Sequence, residues 1–218
     1  MNLKLQQLPS SIRRSARLPF LAPDALQALL LVEKDTGGLL YTEAWKDPVA
    51  SLLSRRMKNA NQLPGYDGHN FGLSICVELS SYAGKYDTLL SIMKKRGWAC
   101  HRKDIDSSMP EANRFHFFGE YPDRFFLKTT MDPATWSNAI ELRIFERHGK
   151  EFQLSMEEVQ EKLKTIGLYY GPLSGQADLY TREGILAFQR SWDMKQNGHA
   201  DAVLARVLAF VTSDIELV

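Results

Sequence analysis

Two short segments of the 218-residue chain carry the side chains best suited to chemistry. Residues 68–76 contain His69 and, seven positions later, Cys76, and residues 113–119 contain a second histidine, His116. Imidazole and thiolate are common zinc ligands, and a catalytic zinc keeps three protein ligands and leaves a fourth position for water. The residue types therefore predict a zinc site formed by His69, Cys76 and His116.

The cysteine lies on the polar side of a predicted strand, because side chains alternate between the two faces of a β-strand. Residues 73–79 alternate between apolar positions (Leu73, Ile75, Val77, Leu79) and polar positions (Ser74, Cys76, Glu78). We expect the apolar face to pack into the core and Cys76 to face a site. The alternative is that Cys76 is a small buried thiol and that the two histidines are hydrogen-bonded strand residues.

The composition predicts an ordinary globular protein. Charged residues make up 24% of the chain and the formal net charge is +1, which argues against a nucleic-acid partner. No apolar run approaches the ~20 residues that span a bilayer, and the N-terminus lacks a signal-peptide pattern. We therefore expect a monomer made in the cytoplasm, without an integral membrane segment. Two cysteines do not form a disulfide framework, although one bridge between Cys76 and Cys100 is compatible with the sequence.

The order of helix and strand signals predicts an α+β fold with mostly antiparallel strands. Helices are predicted at 24–34, 48–58, 85–96 and 134–147, and strands at 39–44, 73–79, 98–103 and 114–121. The first 22 residues carry four basic side chains and no acid. We interpret them as a basic arm that is poorly ordered or, alternatively, touches an anionic surface.

Three more helices are predicted near the C-terminus. Ser155 and Glu158 have the spacing of a capping box, and amphipathic segments follow at 181–192 and 201–211. Such a small bundle is only marginally stable by itself. The predicted organisation is a basic arm (1–22), an α+β domain (23–130), a connector helix (131–153) and a C-terminal three-helix bundle (154–218).

The C-terminal bundle resembles the type 1 peptidoglycan-binding domain family. The matching residues are Val159-Gln160, Leu163, Gly167-Leu168-Tyr169-Tyr170-Gly171-Pro172, Gly175, Thr181, Ala187-Phe188-Gln189 and Asn197-Gly198. The resemblance implies a fold that binds cell-wall murein, and Tyr169 and Tyr170 are candidate glycan contacts beside a loop. Ser174 departs from the acidic residue usual in the family, and Gly184 stands where alanine is more common.

The segment 24–120 resembles the zinc D-alanyl-D-alanine carboxypeptidase and L-alanyl-D-glutamate endopeptidase family, which includes many phage endolysins. That family carries the motifs S-x-H-x-x-G-x-A-x-D and E-x-W-H, to which residues 69–76 and 113–116 correspond in order and spacing. The resemblance implies a DD-peptidase-like domain with a small antiparallel sheet flanked by helices, and zinc as cofactor. It also places Lys46 where the family has an arginine for the substrate carboxylate.

Three departures from that family affect positions that bind the metal, act as the base or bind the substrate. Cys76 replaces an aspartate ligand, Asn113 replaces the glutamate general base, and Lys46 replaces the arginine. Thiolate is still a good zinc ligand, but asparagine cannot accept a proton, and lysine loses bidentate recognition. The nearby acids that could act as the base are Glu111, which we favour, Glu78 and Glu120.

The sequence thus predicts a cell-wall protein, specifically a zinc-dependent hydrolase of murein stem peptides tethered to peptidoglycan by its C-terminal domain. It would act at the cell wall or in the periplasm after export or release, as in phage lysis. The departures at Cys76 and Asn113 favour an alternative, in which the protein recognises or anchors to peptidoglycan without activity. In a third and weaker alternative, a zinc-free Cys76 thiolate is a reactive redox site.

Overall fold

The structure, a computed structural model, describes residues 1–12, 14, 18–49, 51–53, 63–82, 84, 86–100, 112–119 and 133–218. It divides into two units, each built from separate stretches of chain. The sheet unit comprises Lys4–Lys46, Gly68–Arg143 and Ile215–Val218. The bundle unit comprises Met1–Leu3, Asp47–Asp67 and Ile144–Asp214.

Helices and strands are both present among the described residues, which confirms the predicted mixed α+β class. In chain order the elements are β1 (Asn2–Gln7), β2 (Phe20–Leu21), α1 (Pro23–Thr36), β3 (Leu40–Glu43), β4 (Ser74–Glu78), α2 (Tyr86–Lys95), β5 (Trp98–Cys100), β6 (Ala112–Phe117), α3 (Pro133–His148), α4 (Met156–Thr165), α5 (Leu179–Ser191), α6 (Ala202–Val211) and β7 (Asp214–Leu217). Two short 3₁₀ turns flank β4, at Gly68–Phe71 and Leu79–Ser81. None of the helices in the described ranges has the length and apolar character needed to cross a membrane.

The larger sheet has four antiparallel strands in the order β3-β4-β6-β5. Its central strand β4 buries Ile75 and Val77 completely, as the predicted alternation requires. Trp98 from β5 and Phe115 from β6 are also fully buried. Apolar side chains of three neighbouring strands thus form the core of the sheet unit, and the opposite face of β4 is left to polar residues.

Helix α1 shows why the sequence signals at its ends were reliable. Pro23 occupies its first turn, where a missing N–H costs nothing. The helix ends at Gly37, which adopts φ +78° and donates its N–H to the carbonyl of Glu33. Leu26 and Leu29 lie on the buried face between these ends. Helical spacing of leucines and a terminal glycine therefore sufficed to place the helix.

The first part of the N-terminal arm, Asn2–Gln7, is a strand, which corrects the interpretation of a poorly ordered terminus for these residues. In β1, Leu3 and Leu5 are buried, whereas Lys4 is exposed and pairs with Glu216 at 3.3 Å. Strand β1 lies between β2 and β7 in a three-stranded sheet. The alternation of Leu3 and Leu5 with polar residues is the sequence signal for this strand. Strand β7 was not predicted. An exposed pair such as Lys4–Glu216 adds little stability, so apolar burial holds the strand.

Two predicted elements fall partly outside the described residues. Residues 48–49 and 51–53 are helical, in agreement with the predicted start of the second helix, but 54–58 lie outside the described ranges. The strand predicted at 98–103 is described only as far as Cys100. The predicted connector helix corresponds to α3.

The bundle unit begins its helices as predicted. The hydroxyl of Ser155 accepts from the backbone N–H of Glu158, and the Glu158 carboxylate accepts from the N–H of Ser155 at 2.6 Å. This capping box satisfies two otherwise unpaired donors of α4. The buried core of the bundle is formed by Val159, Leu163, Tyr169, Ile185, Phe188, Met194, Leu204, Val207 and Leu208.

An early stretch of chain packs into the bundle, which the sequence did not indicate. Arg206 of α6 donates from Nε to the carbonyl of Gly65 at 2.7 Å. Its guanidinium group also lies 3.8 Å from the centroid of the Tyr66 ring, a cation–π contact. Leu63 and Tyr66 pack against the apolar core. The bundle unit is therefore completed by residues that lie far upstream in the chain, Gly65 preceding its partner Arg206 by 141 positions.

Two glycines of the sheet unit, Gly72 and Gly37, both have positive φ but differ in how closely neighbouring atoms approach them. Gly72 has φ +64°, and a Cβ there would lie 2.5 Å from the backbone nitrogen of Ala22. Gly37 has φ +78°, but a Cβ would meet nothing within 4 Å. We expect Gly37→Ala to cost about 1 kcal/mol from backbone strain alone, and Gly72→Ala to cost about 2–4 kcal/mol because a clash is added. Urea unfolding followed by circular dichroism measures both, and equal losses would contradict the argument.

Candidate functional site

A β-bulge directs an acidic side chain onto the polar face of the larger sheet. Tyr41 of β3 pairs with Val77, but Glu43 pairs with Cys76, so two steps along β3 match one step along β4. With regular pairing Glu43 would lie on the same face as Tyr41 and oppose Ile75, on the apolar side. The extra residue reverses this orientation, which is a typical use of a bulge beside a functional site.

Three potential ligand atoms meet on this face, and we call them the donor triangle. The Oε2 atom of Glu43 lies 3.4 Å from Sγ of Cys76 and 3.6 Å from Nε2 of His69, and Sγ and Nε2 are 3.8 Å apart. The His69 side chain is fully buried, whereas that of Glu43 is 31% exposed. The triangle is therefore enclosed at the histidine and open to solvent at the carboxylate.

His69 is positioned by a hydrogen-bonded clamp between two segments. Its 3₁₀ turn closes through a bond from the N–H of Leu73 to the carbonyl of Gly68 at 2.9 Å. The carbonyl of His69 accepts from the N–H of Lys46 at 3.2 Å. The buried Asn70 donates its amide to the carbonyl of Lys46 at 3.0 Å. The chain that follows Glu43 is thus tied to the turn that carries His69, which keeps the two side chains together.

Two cations border Glu43. Lys46 Nζ lies 2.9 Å from Oε1, and Arg114 Nη2 lies 3.9 Å from Oε2. Arg114 reaches this position because β6 pairs it directly with Cys76. Burial raises the pKa of the Glu43 carboxyl, but His69, Lys46 and Arg114 outweigh it and keep that pKa below the ordinary value. Glu43 is therefore an ionised ligand candidate in a half-buried position.

The thiol of Cys76 is protonated in the metal-free protein. Burial raises its pKa to about 12; nearby Arg114 lowers the pKa and Glu43 raises it. In this state the thiol donates a hydrogen bond to the Glu43 carboxylate. The reactive thiolate of our third alternative is thus disfavoured by the surroundings of Cys76.

His116 lies beside the donor triangle rather than in it. Its Nδ1 is 2.6 Å from the hydroxyl of Ser74, the residue opposite it in the sheet. The ring centroids of His116 and His69 are 6.5 Å apart. Within the described part of the chain, the group of His, Cys, Asp or Glu residues with mutually close ligand atoms is Glu43, His69 and Cys76. The structure thus brings two of the three predicted ligands together, and ligation by His116 stays a prediction.

Of the predicted catalytic residues, Glu78 is the one whose side chain the structure describes, and it does not belong to the triangle. Glu111 lies outside the described residues, and Asn113 is described only by its backbone, which pairs with Val77. Glu78 accepts a hydrogen bond from Ser80 at 2.6 Å. It lies two positions beyond Cys76 on β4, about 7 Å along the strand. Their catalytic roles stay predictions.

The donor triangle fits a tetrahedral zinc ion. With Zn–S near 2.3 Å and Zn–N or Zn–O near 2.0–2.1 Å, ligand atoms around such an ion are about 3.3–3.6 Å apart. The observed separations of 3.4, 3.6 and 3.8 Å are close to this range. Sulfur, imidazole nitrogen and carboxylate oxygen are also the three ligand types that zinc accepts.

Sequence reasoning missed Glu43 and Arg114 as site residues. No local signal identifies Glu43, since its side chain reaches this face only through the bulge. Arg114 had a signal, because it lies two positions before His116 on one predicted strand and therefore shares its face.

Two buried glutamines hold the loops of the bundle unit. Gln160 donates to Gln176 O and to the hydroxyls of Ser174 and Thr181, and accepts from the N–H of Gly175. Gln189 holds the loop that contains Asn197 and Gly198 in the same way. Its amide oxygen accepts from the N–H groups of Asn197 and Gly198, at 3.0 Å each. Its amide nitrogen donates to Oδ1 of Asn197 at 2.6 Å. Each glutamine thus uses both its amide oxygen and its amide nitrogen on groups of one loop, which fixes loop shape.

The two predicted glycan-contacting tyrosines differ in exposure. Tyr169 is 1% exposed and donates its hydroxyl to the carbonyl of Pro172, so it belongs to the bundle core. Tyr170 is 88% exposed and bonds only through its hydroxyl tip, to Gly167 O. The expectation of two ligand contacts is thus corrected for Tyr169, whose ring faces the apolar core rather than a binding surface.

The comparison with known families bears on this helical unit. Residues 153–208 match the family model described as "Putative peptidoglycan binding domain". The match covers α4 and α5, most of α6 and both glutamine-held loops. It supports the predicted peptidoglycan-binding domain, with peptidoglycan as partner, and it indicates a cell-wall-associated protein. No curated protein and no solved structure matches the chain, and no match supports the zinc-peptidase resemblance of its N-terminal part.

The state of Cys76 can be tested by alkylation. In a Cys100→Ser variant treated with a chelator, we expect iodoacetamide at pH 8 to modify native Cys76 at least about a hundredfold more slowly than in the urea-unfolded chain. The reason is that burial holds its pKa near 12 and blocks access. Mass spectrometry of timed samples gives both rates. Comparable rates in the two states would instead support the reactive-thiolate alternative.

Proposed function

We propose that this cell-wall-associated protein is a zinc-dependent hydrolase of murein stem peptides. The observation that carries the proposal is the donor triangle, which occurs in the same chain as a peptidoglycan-binding domain. The resemblance of residues 24–120 to zinc peptidases of the cell wall points to the same chemistry. A zinc ion bound there would supply a Lewis acid and a water of lowered pKa.

The residues around the triangle have distinct tasks in this proposal. His69 and Cys76 hold the metal from the closed side. Lys46 already pairs with Glu43 at 2.9 Å, so it is a weaker candidate for a substrate anchor than the sequence indicated. Arg114 is 40% exposed and lies farther from Glu43, at 3.9 Å. Its guanidinium group suits a stem-peptide carboxylate, which it can bind through two parallel hydrogen bonds. Glu111 remains our candidate for the general base.

The bundle unit would tether the enzyme to its substrate. Binding to peptidoglycan raises the local concentration of the hydrolytic site without any new contact at that site. The exposed ring of Tyr170 lies at the start of a loop that Gln160 fixes. Exposed aromatic rings on rigid loops offer large contact area at low entropic cost.

A second candidate function is recognition of peptidoglycan without cleavage. It is favoured by Asn113, which stands at the position of the base and cannot accept a proton. It is also favoured by Glu78, which is engaged with Ser80. In this case the triangle would stabilise the fold rather than support catalysis.

Hydrolysis distinguishes the two functions. Purified sacculi are incubated with metal-free protein, with and without added zinc, and released amino groups are counted. We expect zinc-dependent release, lost at least a hundredfold in Cys76→Ser and unchanged in the matched control Cys100→Ser. Asn113→Glu should increase the rate if only the base is weak. A wild-type protein that binds sacculi and releases nothing with zinc would establish the non-catalytic function.

The tether is tested by a matched pair of exposed aromatic residues in the bundle unit. Tyr170 lies inside the matched family segment, whereas Phe145, which is 50% exposed, lies outside it. We expect Tyr170→Ala to reduce co-sedimentation with sacculi several-fold and Phe145→Ala to leave it unchanged, with both variants retaining the melting temperature of the parent. Equal retention of the two variants would argue that Tyr170 is not a contact.

A further inference from the structure

The carboxylate of Glu43 presents its two oxygens to different partners. Oε1 faces Lys46, at 2.9 Å, and Oε2 faces the sulfur of Cys76 and the ring nitrogen of His69. We infer that Glu43 is the third protein ligand of a metal site with His69 and Cys76, and that His116 is not a ligand. This inference concerns metal binding alone, so it stands whether or not the protein cuts peptidoglycan.

The distances favour this set over the one predicted from the sequence. All three edges of the triangle lie between 3.4 and 3.8 Å, so a single ion can contact all three atoms with small side-chain shifts. Among the described residues, neither ring nitrogen of His116 joins a group of three ligand atoms that all lie within 4.8 Å of one another. Its Nδ1 is 2.6 Å from the hydroxyl of Ser74. The bulge in β3 thus substitutes an oxygen ligand for the second histidine.

The ligand chemistry identifies the class of metal. Calcium and magnesium take oxygen ligands and do not favour thiolate. A sulfur, a nitrogen and an oxygen ligand at this spacing suit zinc, with cobalt as its spectroscopic substitute. The opening at Glu43, whose side chain is 31% exposed, leaves one side of the triangle accessible. The arrangement is therefore that of a site with three protein ligands, one of which is partly exposed.

Lys46 gains a different task in this arrangement. Its ammonium group holds Oε1, which leaves Oε2 directed at the other two ligand atoms. Outer partners of this kind orient ligating carboxylates, and their loss typically lowers metal affinity about 10–100-fold. Lys46 is then a positioning residue for the ligand, in place of the substrate anchor that the family resemblance implied.

The test is zinc affinity of the full-length protein, measured by competition with a chromophoric chelator. We expect Glu43→Gln, His69→Ala and Cys76→Ser each to weaken zinc binding at least tenfold, and Lys46→Met to weaken it less than Glu43→Gln does. His116→Ala should bind zinc within about threefold of the parent. Circular dichroism verifies that each variant is folded, and Glu43→Asp, which retains a carboxylate, should restore part of the lost affinity.

Cobalt gives a readout that does not depend on comparing stabilities. The cobalt-loaded protein should show a sulfur-to-cobalt charge-transfer band that is absent in Cys76→Ser and unchanged in His116→Ala, while Glu43→Gln alters the ligand-field bands. A parent protein that binds neither metal would overturn the inference. So would loss of zinc in His116→Ala with normal binding in Glu43→Gln. Zinc binding that follows the Glu43 pattern without any release of stem peptides would uphold the inference and reject the hydrolase.

Discussion

The pairing of β3 with β4 is the constraint on which the site depends. Two residues of β3 occupy the space of one at the bulge, so Tyr41 stays in the core while Glu43 turns to the opposite face. A carboxylate on this half-buried face needs compensation, and Lys46 and Arg114 provide it. The ring nitrogen Nε2 of the buried His69 then lies 3.6 Å from a carboxylate oxygen of Glu43. A single register shift therefore sets the composition, charge and opening of the cluster.

The bundle unit depends on a different interaction, the saturation of buried amides. Gln160 is fully buried and Gln189 is 1% exposed, yet each is surrounded by hydrogen-bonding groups of a loop. A side-chain amide can donate and accept hydrogen bonds at the same time, so one glutamine can hold several backbone groups of a loop. An apolar residue of the same size would leave several backbone groups unpaired. These two glutamines are among the residues that carried the peptidoglycan-binding resemblance, and their role is architectural.

Local patterns predicted most of the elements, because helical periodicity, capping and strand alternation are determined by neighbours in sequence. The capping box at Ser155 and the terminal glycine of α1 were found in this way. The features that the sequence did not predict depend on residues that are distant in the chain. The bulge is a property of two paired strands, β1 and β7 support one another in a separate sheet, and the contact of Arg206 with Gly65 spans 141 positions. His69 and Cys76 could be paired from one segment, whereas Glu43 required the register.

The division of both units among separate stretches has a consequence for how the protein is made. A ribosome releases Gly65 long before Arg206, and the residues Ile215–Val218 of the sheet unit emerge after the entire bundle. Neither unit has all its parts until translation is nearly finished, so one cannot fold completely while the other is being synthesised. Leu63 and Tyr66 are therefore synthesised well before the helices against which they pack.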